Sequence, residues 1–168
     1  MLKVISFITV CLFIVGCGAD KSSSVKPNMY QSVTKNKAVL LQKGENKKYC
    51  AMCGMNLVKY YKTNHAAIYK NKQYQYCSIH CLEEHLEKGI TLKNPMVVDI
   101  SSLNFIPVMD AVYVVGSKKK GTMSHVSKYA FKSLRDAKDF QKEFGGEIMD
   151  FNGARKKAQE DFKFKRKY

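Results

Sequence analysis

From Val4 to Val15 the chain is dominated by apolar residues, preceded by a single Lys3 and followed by Gly16 and Cys17. A bilayer-spanning helix needs about 20 such residues, so this run reads as a secretory signal over residues 1–16, with an uncleaved anchor as the lesser alternative. Residues 17–37 are polar and rich in Ser and Lys, with no apolar period, which predicts a flexible tether and a folded part beginning near Ala38. Beyond it, "NLVKYY" alternates as a strand does, and "HAAIYKNKQYQYC" suggests two strands around Asn71 and Lys72. Ser78 stands where a cap belongs for the helix "IHCLEEHLEK", in which Cys81, Leu82, His85 and Leu86 share a stripe and Gly89 marks the stop. "MVVDI" then reads as a short buried strand.

The same order follows again. "AVYVVG" is an apolar strand, "KKKG" a turn and "TMSHVSKYAF" extended chain. Ser133 and Asp136 open a helix whose apolar face holds Leu134, Ala137, Phe140 and Phe144, and "EIMDF" returns as a strand after Gly145-Gly146. Setting "CGMNLV" over "GTMSHV" places Met55 on Met123 and Val58 on Val126. The predicted class is α+β: two small ββαβ units packed together, over residues 49–100 and 110–152, within a domain spanning 38–152. Residues 153–168 remain as a basic helix or tail.

The chain carries a formal net charge of +15 at pH 7, and loss of Lys3 with the signal changes this little. Export removes nucleic acid from reach, and the Lys residues are scattered. A solvated surface leaning towards anionic lipid is therefore expected, with no nucleic-acid partner. The ending Ile14-Val15-Gly16-Cys17 resembles a bacterial lipobox, which makes Cys17 the expected lipidation site and a periplasm-facing membrane lipoprotein the expected form. Which membrane holds it stays open. Of the six cysteines, Cys11 leaves with the signal and the Cys17 thiol is expected to carry the lipid, so Cys50, Cys53, Cys77 and Cys81 remain as usable thiols.

Two disulfides are one reading of four exported thiols. Bridges within either close pair constrain little chain, whereas C-x2-C on a turn followed by C-x3-C at a strand-to-helix junction lets four sulfurs converge as in a treble-clef-like knuckle. Zn(II) suits such a four-thiolate set, Cys50, Cys53, Cys77 and Cys81, with His80 as a possible addition. Cu(I) accepts thioether as well as thiolate sulfur, and Cys50, Met52, Cys53 and Met55 lie within six residues. Met52 is balanced between ligation and packing, Met109 is ambiguous, and Met96 and Met149 belong to the core. His65 and His85 are expected at the surface or behind the site. A C-x2-C thiol-disulfide oxidoreductase ranks lower, because a turn and strand rather than a helix follow the motif. No catalytic constellation appears, and the chain is not expected to be an enzyme.

"CAMCGM" at 50–55, "YCS" at 76–78, "DAVYVVGSKKKGTMSH" at 110–125, "YAF" at 129–131 and "FGGEIMDF" at 144–151 resemble the NosL family of copper-binding lipoproteins that accompany nitrous oxide reductase. The resemblance implies ββαβ units like those of organomercurial lyase, and a chaperone that delivers Cu(I) to the reductase or to its maturation complex at the membrane. Cys53, Gly54 and Met55 match the first motif, and Met123 and His125 match Gly-x-Met-x-His in the second. The expected metal set is Cys50, Cys53, Met55, Met123 and His125. The run from Cys50 to Cys81 also resembles the TRASH metal knuckle, which keeps the four-thiolate Zn(II) set as the alternative.

Overall fold

The computed structural model describes residues 29–165. The expected signal, the lipidation site Cys17 and the last basic residues lie outside that range. Two antiparallel sheets carry the architecture. In the first, β1 (His65–Tyr69) and β2 (Lys72–Tyr76) form a hairpin, α1 (Ile79–Leu86) crosses over, and β3 (Lys93–Val98) and β4 (Phe105–Pro107) complete the order β2-β1-β3-β4. In the second, β5 (Val112–Val115), β6 (Lys128–Phe131), α2 (Leu134–Phe144) and β7 (Glu147–Met149) repeat the plan, with the order β6-β5-β7. The two ββαβ units are therefore present, and β4 is an addition to the first. A last helix, α3 (Phe151–Lys165), occupies the region expected as a basic helix or tail.

Local chemistry explains the turns. Lys70 and Asn71 both have positive φ (46° and 60°), the conformation that a two-residue hairpin of right-handed twist requires, so the turn falls one residue earlier than the sequence suggests. Ser133 accepts the N–H of Asp136 at the start of α2, whereas Ser78 precedes α1 without a side-chain capping bond. "NLVKYY" is not a strand. The Asn56 side chain accepts the N–H groups of Val58 and Lys59, both at 3.0 Å, and curls the chain into turns that end in a 3-10 turn at Tyr61–Thr63. Only Lys128–Phe131 of "TMSHVSKYAF" is a strand. The residues before it bend around Met123, whose φ of 70° is unusual for a non-glycine residue. Of the residues expected on the apolar face of α2, Ala137 and Phe140 are buried against the sheet as expected, whereas Leu134 is 48% exposed.

One core runs through both units, joining Tyr76, Leu82 and Val97 of the first to Tyr113, Val115 and Ala154 of the second and α3. The sheets also meet directly, through a parallel bridge of Asp99 with Ala130 and the Ile100 N–H on the Ala130 carbonyl at 3.0 Å. Residues 29–37, within the expected tether, pack on this body. Tyr30 meets Tyr129 edge to face, and Gln31 and Val33 are buried. α3 braces α1 by polar contacts: Arg155 and Gln159 hold the buried Glu83 carboxylate, and Asp161 lies 3.1 Å from His80 Nε2 and 2.7 Å from Lys128 Nζ.

His65, expected at the surface or behind the site, is fully buried in β1 and joins the units. Its ring nitrogens lie 3.1 Å from the Thr63 carbonyl oxygen and 3.1 Å from the Tyr113 hydroxyl. Burial pushes its pKa down to about 3, so it stays neutral in the fold, while the unfolded chain takes up a proton below about pH 6.5. The unfolded state then binds more protons, and stability falls as pH drops through that window, by up to about 1.4 kcal/mol per pH unit. Urea unfolding of the metal-free, reduced protein at pH 7, 6 and 5 is expected to show this decline, and His65→Gln is expected to flatten it.

Candidate metal centre

Three pieces of backbone supply the sulfurs. The segment 50–55 closes on itself through the Cys50 N–H to the Met55 carbonyl at 2.8 Å and the Gly54 N–H to the Cys50 carbonyl at 3.0 Å, with Tyr49 and Asn56 bridged beneath it. Gly54 takes φ 73°, which lets the loop reverse without a Cβ penalty. The Ala51 N–H donates to the Gln75 carbonyl at 3.0 Å, fastening the loop to the edge of β2. β2 then runs straight into Cys77, and Cys81 follows in the first turns of α1.

The Sγ atoms of Cys50, Cys53, Cys77 and Cys81 all lie within 4.8 Å of one another. Cys77 is central, 3.5 Å from Cys53 Sγ, 3.7 Å from Cys81 Sγ and 3.9 Å from Met55 Sδ. All four are free thiols, three buried and Cys53 exposed, so the two-disulfide reading does not describe this structure. The thiols of Cys77 and Cys81 donate to Cys50 and hold it well below the ordinary thiol pKa. As donors to Cys50, and buried, they are themselves pushed up. The cluster thus accepts one negative charge readily, and further thiolates need a cation among them.

The other expected residues divide. Met55 is part of the sulfur group. Met123 is half-buried and packs on the same core as Met55 and the cysteines. Its segment is held to the cysteine turn through Thr63, whose hydroxyl lies 2.8 Å from the Cys77 carbonyl oxygen and 2.8 Å from the Thr122 hydroxyl. His125 is exposed and stands outside the four-thiol group. Met52 packs against the core at the edge of the loop, and Met149 also packs there. Met96 is half-buried in β3, and Met109 is 75% exposed. His80 stands outside the four-thiol group, with its Nε2 3.1 Å from Asp161. His85 is buried, with Nδ1 2.8 Å from the Tyr76 hydroxyl. The sequence reading missed Thr63, Gln75 and Asp161. A polar residue that supports a loop from another element carries no periodic or spacing signal.

Fold and site together define a small α+β protein of two ββαβ units that gathers soft sulfur ligands at the first. The NosL family model matches residues 42–158, and the chain belongs to the NosL family. It is similar to the crystal structure of the copper chaperone NosL from Shewanella denitrificans, at 25% identity and a TM-score of 0.54, over 66% of this chain and 92% of that one. No curated protein matches the chain significantly.

If one ion is shared by all four sulfurs, loading the reduced protein with metal is expected to slow alkylation of Cys50, Cys53, Cys77 and Cys81 together, by tenfold or more. Mass mapping of the alkylated peptides checks this. Protection of Cys50 and Cys53 alone would confine the site to the C-x2-C loop.

Proposed function

We propose that this protein is an exported, membrane-tethered Cu(I) chaperone, without enzymatic activity, that supplies the copper centres of nitrous oxide reductase directly or through its maturation complex at the membrane. The observation that carries the reading is a thioether among the thiols: Met55 Sδ stands 3.9 Å from Cys77 Sγ. Thioether sulfur suits Cu(I) and offers little to Zn(II). The family supports the same metal, through the copper chaperone whose fold this chain shares. Transfer follows from ligand exchange. Cys53 is exposed, so an incoming ligand reaches the ion from that side while the buried thiols still hold it. A weak Met bond is then the natural one to yield. Met123, in its left-handed backbone conformation, is the candidate for a second thioether from the other unit.

A second reading has its own observation. In a tetrahedral site with Zn–S bonds of about 2.3 Å, sulfurs stand roughly 3.8 Å apart, and the 3.5 and 3.7 Å separations around Cys77 are close to that. A zinc-stabilised binding module therefore competes with the chaperone.

Competition against a colorimetric Cu(I) chelator, under reducing conditions without oxygen, separates the two. The expected result is uptake of one Cu(I) in preference to Zn(II), and loss of tight binding in Cys53→Ser. Met55→Leu and Met123→Leu are expected to fold normally and to retain Cu(I) about tenfold less well, with Met149→Leu unchanged. Zinc that resists removal, with copper indifferent to the Met variants, would establish the zinc module instead.

The tether rests on Cys17. Replacing it with Ser is expected to move the protein from the membrane fraction to the soluble one and to abolish fatty-acid labelling. A Cys17→Ser form that still labels would remove the lipoprotein assignment.

A further inference from the structure

β2 is an outer strand of the first sheet, and its register decides which of its main-chain groups face outward. The hairpin closes on the pair Tyr69 and Lys72, so Lys72, Tyr74 and Tyr76 exchange hydrogen bonds with β1, while Gln73 and Gln75 turn theirs away from it. Gln75 is satisfied within the chain. Its carbonyl accepts from Ala51 N–H at 3.0 Å, and its N–H donates to the Gln42 side-chain oxygen at 3.2 Å. The loop that carries the cysteines thus already behaves as a short partner to this edge. One step along, the Gln73 N–H and C=O bond to no other described residue.

Gln73 lines an open groove of about 920 Å³. Leu41 to Lys43 and Tyr49 line it as well, and Cys50, Met52 and Gly54 of the sulfur loop contribute to the same wall. Lys43 and Lys72 also line the groove, and no acidic residue does. Apolar surface is supplied by Leu41, Met52, Ile68 and Tyr74.

From this we infer that the groove is a docking surface for an extended, acidic segment of the protein that exchanges metal with this one, added as a strand to the Gln73 edge of β2. Main-chain pairing supplies affinity without demanding a sequence, and alternate side chains of the added strand enter the groove. The two lysines select acidic residues and speed encounter. The groove's wall includes Cys50, Met52 and Gly54 of the loop that also carries the exposed Cys53, so a docked segment lies beside the exchange site. The metal-exchange part of this inference rests on the chaperone reading, whereas the docking surface does not.

The test uses two synthetic probes: a peptide alternating Glu and Val with one central Met, and its counterpart with Lys for Glu. Fluorescence anisotropy is expected to show binding of the acidic peptide, weakening with salt, and no binding of the basic one. The Lys43→Glu/Lys72→Glu double variant is expected to bind the acidic peptide at least tenfold more weakly, with its Cu(I) content unchanged. Gln73→Pro is expected to do the same, since its N–H lies outside the β1 ladder and an edge position tolerates proline. If that variant does not fold, amide exchange at Gln73 of the wild type decides, because a paired strand slows it and a side-chain-only contact does not. Equal binding of both peptides, or unchanged exchange at Gln73, would overturn the inference. So would retention on phosphatidylglycerol vesicles in place of the peptide, which assigns the lysines to lipid, or a dimer that Gln73→Pro dissociates, which assigns the edge to a second copy. Cu(I) uptake without peptide binding removes the groove alone. Peptide binding without Cu(I) uptake leaves the groove and removes the chaperone.

Discussion

Four sulfurs brought within 4.8 Å of one another, by the loop at 50–55 and the strand-to-helix junction at 77–81, set the terms for the rest of this structure. Thiols so close, three of them buried, resist ionising together, and a full set of thiolates needs a cation between them. The demand is geometric as well as electrostatic, since one ion bonds all four sulfurs only if every segment holds its sulfur in place. The loop at 50–55 is accordingly closed by its own hydrogen bonds, bridged at its base and fastened to β2 through Ala51 and Gln75. Gln75 is wholly buried and extends the fastening outward, accepting from the Leu41 N–H and donating to the Val39 carbonyl and the Asn64 side chain.

α1 needs bracing of another kind. It is short, its starting serine makes no capping bond, and it carries Cys81 next to two buried polar residues, His80 and Glu83. α3 supplies the partners, with Arg155 and Gln159 on Glu83 and Asp161 on His80. A buried carboxylate stripped of its cation costs about 3–5 kcal/mol, so these contacts fix α1 against α3 even where they add little net stability. Asp161 also holds Lys128 at the start of β6, and Lys128 reaches back to the Val126 carbonyl. One carboxylate therefore ties the helix that bears Cys81 to the segment that bears Met123.

The second unit has no cysteines and contributes differently. Its strand β5 brings Tyr113 against His65, and its bend at 122–126 reaches the cysteine turn through Thr122 and Thr63. Of the two ββαβ units, one gathers the ligands and the other packs behind and beside them.

Much of this was written in the order of residues. The two ββαβ units follow from alternation, helical stripes and glycine stops, because local periodicity reflects which side of an element faces a core. C-x2-C at a loop and C-x3-C at a strand-to-helix junction mark two pairs of thiols, each close because so few residues separate its members, and the fastening of the loop to β2 through Ala51 and Gln75 brings the pairs together. Other features needed the folded chain. Alternation in "NLVKYY" promised a strand, but the Asn56 side chain captured the backbone and curled it, a local competition that hydrophobic pattern does not register. The sequence places His65 and His85 at the surface or behind the site, on elements with other roles. Only the folded chain set Tyr113 and Tyr76 beside them and so made their burial affordable. His125, two residues from Met123 in the motif, is left exposed, because the bend at 122–126 ties Met123 to the core and not its neighbour. Spacing along a chain determines which ligands are able to meet, whereas which of them do meet is decided by contacts between residues far apart in sequence, and those contacts exist only once the two units have packed.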